Sequence, residues 1–239
     1  MKEIEKLNKW IKECNNIVFF GGAGVSTESG IPDFRGENGI YKNKYTYPPE
    51  EILSHTFFLN HTNEFYQFYF DKMIYPDKLP NDCHKKLVEL EKKKKLKYII
   101  TQNIDGLHQK AGSKSVLELH GNINKNNCSL CNKQYSLEYM LKHKNIPKCS
   151  CGGIIKPAVT LYEEELDYTV LKESIKAIKE CDLLIIVGTS LNVYPAAGLI
   201  QYFKGKYLVL INKEKTAYDY SANLIIHDNI GEVFKKITV

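Results

Sequence analysis

The chain has 239 residues, of which 43% are hydrophobic and 26% charged, a balance that excludes collagenous and disordered classes and predicts one large core, alone or with a satellite. Its 33 basic and 28 acidic side chains leave a formal charge of +5, a mild bias rather than the concentrated patch of a nucleic-acid binder, so no specific nucleic-acid partner is expected. The longest apolar runs, Leu183–Val187 and Tyr207–Ile211, fall far short of the roughly 20 residues of a bilayer span, so no membrane association is expected.

The opening MKEIEKLNKWIKEC places apolar residues at helical spacing, predicting a helix over Glu3–Glu13, and has neither the apolar stretch nor the small-residue cleavage site of a secretory signal. A cytoplasmic location is therefore expected. Ile17–Phe20, Tyr98–Thr101, Leu183–Val187 and Tyr207–Ile211 are short, unalternating apolar runs rich in β-branched and aromatic residues, which fits strands buried on both faces. Helix-like stretches, including Cys83–Lys93 and Tyr168–Lys179, lie between them. This alternation predicts an α/β fold, a Rossmann-like parallel sheet with helices on both faces, whose ligands bind beyond the carboxyl ends of the strands. The residues that follow the strands are Gly21–Arg35, Gln102–Asp105, Gly188–Ser190 and Asn212.

Two segments break this rhythm. Tyr41–Tyr75 is dense in aromatics and reads as a small helical module packed on the core, whereas Asn122–Gly153 is polar, lysine-rich and short of strand or helix signals. The expected division is a large domain from 1–36, 79–122 and 155–239, and a small one from 37–78 (helical) and 123–154 (the polar module). Glu91–Lys97, reading EKKKKLK, is expected to be a solvated helix end rather than a localisation signal.

The polar segment holds Cys128, Cys131, Cys149 and Cys151 as C-x2-C, a gap of seventeen residues, and C-x-C. Two tight thiol pairs supply the tetrahedral corners that zinc requires, and with four protein ligands no position is left for water, so the site reads as structural. The C-x-C half is tighter than the usual C-x-x-C. Cys14, Cys83 and Cys181 read as core thiols.

After the first strand, GGAGVSTESGIPDFRG offers small residues that let a helix start approach a diphosphate, with free backbone N–H groups as donors. It matches neither GxGxxG nor the P-loop, so from the residues alone a phosphate cradle and a plain tight turn both stay open. Arg35 is the single arginine among the 33 basic residues and suits a planar, multi-donor contact to phosphate or carboxylate.

Taken together with GxxGIY at Gly36–Tyr41, TQNIDGLHQKAG at Thr101–Gly112, ELHG at Glu118–Gly121, GTSLNVYPA at Gly188–Ala196 and a strand ending in Asn212, this loop resembles that of the sirtuins, the silent-information-regulator family of NAD-dependent protein lysine deacylases, and in particular their bacterial undifferentiated class. The order of motifs matches over nearly the whole chain. The resemblance implies NAD+ as co-substrate, held by Gly22, Ala23, Gly24 and Thr27 around the diphosphate, with Phe34 and Arg35 on a mobile loop and Asp33 and Tyr41 beside them. It further implies that Gln102, Asn103, Ile104 and Asp105 line the ribose and nicotinamide pocket, that Gly188, Thr189, Ser190, Asn212 and Lys213 hold the adenosine half, and that Asp228 and Asn229 approach the adenine.

By the same resemblance His120 is the general base, with Asn103 the second catalytic residue. The other six histidines, His55, His61, His84, His108, His143 and His227, read as packed or surface side chains. An acetylated protein or peptide would add a strand between Val159–Glu164 (Val159, Thr160, Leu161, Tyr162 and Glu163) and Asn192–Pro195 (Asn192, Val193 and Tyr194). Glu163 stands where many relatives have glycine. Relatives that remove succinyl or malonyl groups carry a tyrosine and an arginine in the helical module, and Tyr41–Tyr75 has no arginine, so an acetyl or other uncharged acyl group is expected. The expectation is thus an NAD-dependent protein deacetylase, a monomer with one structural Zn2+. Mono-ADP-ribosyl transfer, or removal of a longer uncharged acyl group, is the alternative; nicotinamide released rather than reduced separates either from a dehydrogenase.

Overall fold

A computed structural model describes residues 2–36, 39–42 and 44–238; residue 37, where the small domain was expected to begin, lies outside them. In chain order, helix α1 (Lys2–Glu13) leads into β1 (Ile17–Gly21). The helical module follows as α2 (Pro49–Ile52), α3 (His55–Asn60) and α4 (Thr62–Lys72), and then α5 (Asp82–Lys92), β2 (Leu96–Thr101), α6 (Leu107–Ala111) and β3 (Val116–Glu118). Next come β4 (Gly121–Cys128), β5 (Gln134–Ser136), α7 (Leu137–Lys142) and β6 (Ile155–Val159), and the chain closes with α8 (Tyr168–Glu180), β7 (Leu183–Val187), β8 (Tyr207–Ile211), β9 (Leu224–Ile226) and α9 (Ile230–Lys235).

Six strands form one sheet in the order β3-β2-β1-β7-β8-β9, parallel throughout. The reversal of strand order at β1 and β7 is a topological switch point, where ligand crevices open in such sheets. β1 and β7 are buried along their whole length. Alternate residues feed two cores. Ile17, Phe19, Ile185, Val187, Val209 and Ile211 pack with Leu7, Leu87 and Phe234 from α1, α5 and α9, while Val18, Phe20, Leu184, Ile186 and Leu210 pack with Ile178 and Leu199. A third core joins Phe57, Phe58, Phe65, Tyr66 and Tyr69 of the helical module to Ile123, Cys128, Met140 and Ile155. Tyr66 Oη donates to the Ile155 carbonyl at 2.5 Å, so α4 and β6 are tied by a buried polar bond as well as by apolar contact.

The segment 122–153 is more regular than its sequence predicts. β5, β4 and β6 form a second, antiparallel sheet in that order, with α7 beside it. Polar β4 (GNINKNNC) carries no apolar alternation. Its place is fixed instead by ladder bonds and by fully buried Asn126, whose Nδ2 donates to the Ile123 carbonyl at 3.2 Å. β4 runs across the boundary expected at 122/123, and β6 begins at the one expected at 154/155. The helix expected after β1 is a 3-10 turn, Ala23–Ser29, stopped by Gly30 at φ +79°, a conformation in which glycine avoids the Cβ penalty. Cys14, Cys83 and Cys181 are buried thiols. Among the described residues no helix is long and apolar enough to cross a membrane.

Candidate active site

A cavity of about 1010 Å3 opens beyond the carboxyl ends of β1, β2, β7 and β8, between the parallel sheet and the helical module. Every residue named from the sequence as a cofactor, catalytic or peptide contact lines it. The first wall is made by two loops in direct contact. Gly188 has φ +60°, and a Cβ on Gly24 would stand 2.8 Å from Gly188 Cα. Gly24 N donates to the Gly188 carbonyl at 2.8 Å and Gly22 N to that of Val187 at 3.0 Å. These two N–H groups are therefore not the free donors expected from the sequence; the glycines serve close approach of the two loops. Thr27 turns its hydroxyl back onto the Gly24 carbonyl at 2.9 Å.

The second wall is a chain of side chains. Ser26 Oγ donates to Asp105 Oδ2 at 2.7 Å, and Asn103 Nδ2 donates to Ser26 Oγ at 3.1 Å. Leu107 N donates to the other Asp105 oxygen at 2.8 Å. Burial raises the Asp105 pKa against the bonds from Ser26 and Leu107, which lower it. Ser26, 1% exposed, is a site residue that sequence reasoning missed: it sits in a loop of small residues, and only folding brings its hydroxyl between Asp105 and Asn103. Gln102 Nε2 reaches Thr189 Oγ1 at 3.0 Å and so links the ends of β2 and β7.

His120 follows β3. Its Nδ1 lies 2.9 Å from the Gln102 carbonyl. That partner is an acceptor only, so Nδ1 carries the proton and Nε2 keeps its lone pair. Burial lowers the His120 pKa against this bond, which keeps the ring neutral at pH 7.

Ile40 N donates to the Asp33 carbonyl at 2.8 Å and Tyr41 N to that of Phe34 at 2.9 Å, bonds that bring these residues side by side. Arg35 lies over the Tyr41 ring at 5.0 Å, donates to Tyr162 Oη at 3.4 Å and stands 3.8 Å from Glu50. Tyr162 and Tyr41 also meet through their hydroxyls at 3.1 Å. The segment around Tyr162 is pinned to the turn between α2 and α3 by Tyr162 N to the Leu53 carbonyl and His55 N to the Tyr162 carbonyl, each 3.0 Å. Glu163 has φ +74°, a left-handed conformation that favours glycine. Its carboxylate accepts Thr56 N at 2.8 Å in the first turn of α3. Glu164 meets His55 at 2.8 Å and Lys156 at 3.0 Å. Across the cavity, Tyr194 is 65% exposed. On the far side Asn212 donates through Nδ2 to the Glu214 carbonyl at 2.7 Å, and Asp228 Oδ1 accepts Asn229 N at 2.7 Å.

The four cysteines come together away from the cavity. Their sulfurs all lie within 4.8 Å of one another, with Cys128–Cys151 at 3.5 Å and Cys131–Cys149 at 3.6 Å. A tetrahedron of about 2.3 Å zinc–sulfur bonds has edges of about 3.8 Å, whereas a disulfide needs about 2.05 Å. The thiol set therefore fits a four-coordinate structural zinc, and the tight C-x-C half reaches its corners.

Fold and cavity define an α/β protein of the dinucleotide-binding class with a four-cysteine cluster suited to a zinc ribbon. The Sir2 family profile matches residues 22–195. The NAD-dependent protein deacetylase of Clostridium acetobutylicum is 58% identical over 241 residues, covering 99% of this chain and 98% of that protein. Its namesake from Clostridium perfringens is 56% identical, covering 98% of each. The solved structure of a Sir2 variant with deacetylated p53 peptide and 3′-O-acetyl-ADP-ribose superposes with a TM-score of 0.92 at 37% identity, covering 98% of this chain and 97% of that one. A Sir2 complex with a p53 peptide and NAD+ gives 0.88 at 35% identity, covering 98% and 96%. The chain belongs to the Sir2 family.

Proposed function

We propose that this chain is an NAD+-dependent protein lysine deacetylase, which moves the acetyl group of acetyl-lysine onto ADP-ribose and yields free lysine, nicotinamide and O-acetyl-ADP-ribose. The observation that carries the reading is His120: a half-buried ring whose Nδ1 proton is committed to the Gln102 carbonyl, on a cavity shared by the cofactor loops and the peptide segments.

The cavity fits NAD+ in size and in lining. Gly22, Ala23, Gly24 and Thr27 face the diphosphate, and Gly24 and Gly188 allow the close approach of loops that a Cβ would prevent. Asp33, Phe34, Arg35 and Tyr41 close over it, with Arg35 the fork for phosphate oxygens. Gln102, Asn103, Ile104 and Asp105 hold the ribose and nicotinamide; the Asp105–Ser26–Asn103 chain fixes the Asn103 amide beside the reacting carbon. Gly188, Thr189, Ser190, Asn212, Lys213, Asp228 and Asn229 take the adenosine half. Bound NAD+ supplies the ribose carbon that accepts the acyl oxygen and the neutral leaving group.

His120 Nε2 takes the proton from a ribose hydroxyl, and its neutral form at pH 7 suits that task, typically worth roughly 100- to 10,000-fold. The peptide lies as an added strand between Val159–Glu163 and Asn192–Tyr194. Such backbone pairing accepts many sequences, although Tyr162 already spends its N–H and C=O on the α2–α3 turn. Zinc, held by Cys128, Cys131, Cys149 and Cys151, fastens the small domain and touches no reacting atom. We further propose a cytoplasmic monomer without a nucleic-acid partner, in keeping with its thiolate cluster and buried free thiols. Loss of acetyl from an acetyl-lysine peptide only when NAD+ is present supports the reading. Label from NAD+ remaining on the peptide, with the acetyl group intact, would favour ADP-ribosyl transfer instead.

A further inference from the structure

The HDN turn after β9 contains His227, which the proposed reaction leaves without a task. Its Nδ1 stands 2.9 Å from the Asn212 carbonyl and its Nε2 stands 3.2 Å from Asp219 Oδ2. A carbonyl accepts only, and so does an ionised carboxylate. Burial pushes Asp219 up, but bonds from the Thr216 hydroxyl and backbone and the neighbouring His227 outweigh it and hold the carboxyl below its ordinary value. Both ring contacts are therefore hydrogen bonds only when both nitrogens carry protons.

The two partners sit at the two ends of one loop. Asn212 begins it at the tip of β8, and Asp219 ends it, accepting Thr216 N at 3.0 Å and Thr216 Oγ1 at 2.8 Å. Residues 212–217 between them line the cavity on the side assigned to adenosine, while His227 and Asp219 face away into a separate surface recess. The charged groups around the ring are Asp219, Lys215 of the same loop, Glu3 of α1 and the adjacent Asp228, with Tyr220 in the same recess. His227 is thus a strut behind the adenosine wall. It spans the loop at its base without touching the cavity.

We propose that His227 is a positioning residue for the adenosine half of the cofactor: by bridging the Asn212 carbonyl and the Asp219 carboxylate it clamps the Asn212–Asp219 loop closed, and loss of the ring opens that wall. The inference rests on the assignment of the adenosine end to Asn212. A bond to the Asp219 carboxylate is charge-assisted, and an interaction of that kind transmitted in part to the ligand corresponds to roughly fivefold in affinity.

The test measures ADP-ribose binding calorimetrically for the full chain, with kcat and nicotinamide inhibition as companion readouts. At a fixed pH, His227→Ala weakens ADP-ribose binding about fivefold relative to wild type. In that variant kcat and nicotinamide inhibition change less than about twofold, because the nicotinamide side lies on the other loops; a general structural defect would move all three together. His227→Gln, which keeps one donor, falls between, and decides the matter should His227→Ala not fold. Asn212→Ala tests the assignment beneath the proposal. ADP-ribose binding weakened by Asn212→Ala but untouched by His227→Ala would overturn the clamp alone, whereas binding untouched by Asn212→Ala would overturn the adenosine assignment with it.

Discussion

Acidification should unfold this protein through a pair of histidines that have nowhere to put a proton. His84 and His108 are 0% and 1% exposed, with ring centroids 4.7 Å apart. His84 Nδ1 faces Asn81 Oδ1 at 2.9 Å. Its Nε2 and both nitrogens of His108 have no hydrogen-bond partner among the described residues. Burial lowers the His84 pKa to about 4; burial, and then the neighbouring His84, pushes His108 well below its ordinary value. Both folded values lie below the unfolded value of about 6.5, so the stability these rings contribute is complete above that pH and is lost as pH falls beneath it, where the unfolded chain binds more protons. At pH 5 the His84 ring alone contributes a loss of about 2 kcal/mol, a substantial share of the roughly 5–15 kcal/mol that holds a domain folded, and His108 adds to it in the same direction. Urea denaturation at pH 7.5, 6.5, 5.5 and 5.0 measures it. His120 shifts stability in the same direction, so the decisive quantity is the difference between wild type and His108→Phe, whose slope below pH 6 should be shallower by about 1.4 kcal/mol per pH unit. Equal slopes, or a wild-type curve flat from pH 7.5 to 5, would refute the reasoning.

Gly188→Ala meets two obstacles: φ +60°, which costs an L-residue about 1–2 kcal/mol, and a Cβ 2.6 Å from Val25 N. Displacement of the 22–25 loop should raise the KM for NAD+ more than about tenfold and lower the melting temperature; an unchanged KM would show that the two loops do not shape the diphosphate wall. Cys149→Ser, or a strong chelator, should release the zinc measured by atomic absorption and lower the melting temperature, because the clip ties the polar end of the β4–β6 sheet beyond the apolar contacts of Ile123 and Ile155. Retained melting temperature after complete zinc release would contradict that. Glu163→Gly relieves a left-handed side chain and removes the bond to Thr56 N. These opposing effects are each about 1 kcal/mol, so its denaturation midpoint should barely move; a loss above about 2 kcal/mol would mean the carboxylate does more than cap α3.

What the sequence makes legible follows from where the physics is local. β1, β7 and β8 announce themselves because burial on both faces demands unbroken apolar runs, and the loops after them hold the site because parallel strands deliver their carboxyl ends to one edge. β4 stays hidden because partners distant in sequence specify a polar strand. Ser26 and His227 stay hidden for a similar reason: each acts through a contact far along the chain, Ser26 with Asp105 and His227 with Asn212 and Asp219. His84 and His108 read as packed histidines, which they are; their missing partners become visible only in three dimensions. Glu163, noted as a departure from glycine, proves to occupy a backbone conformation that glycine favours.

The central claim is that one cavity couples NAD+ cleavage to deacetylation through His120. Mass spectrometry of both peptide and nucleotide tests it most directly, following an acetyl-lysine peptide with NAD+ in wild type and in His120→Ala. Wild type should yield equal amounts of deacetylated peptide, nicotinamide and O-acetyl-ADP-ribose. A folded, zinc-loaded His120→Ala should consume the peptide at least about 100-fold more slowly. Near-normal turnover in the variant, or acetyl loss from wild type without O-acetyl-ADP-ribose, would contradict it.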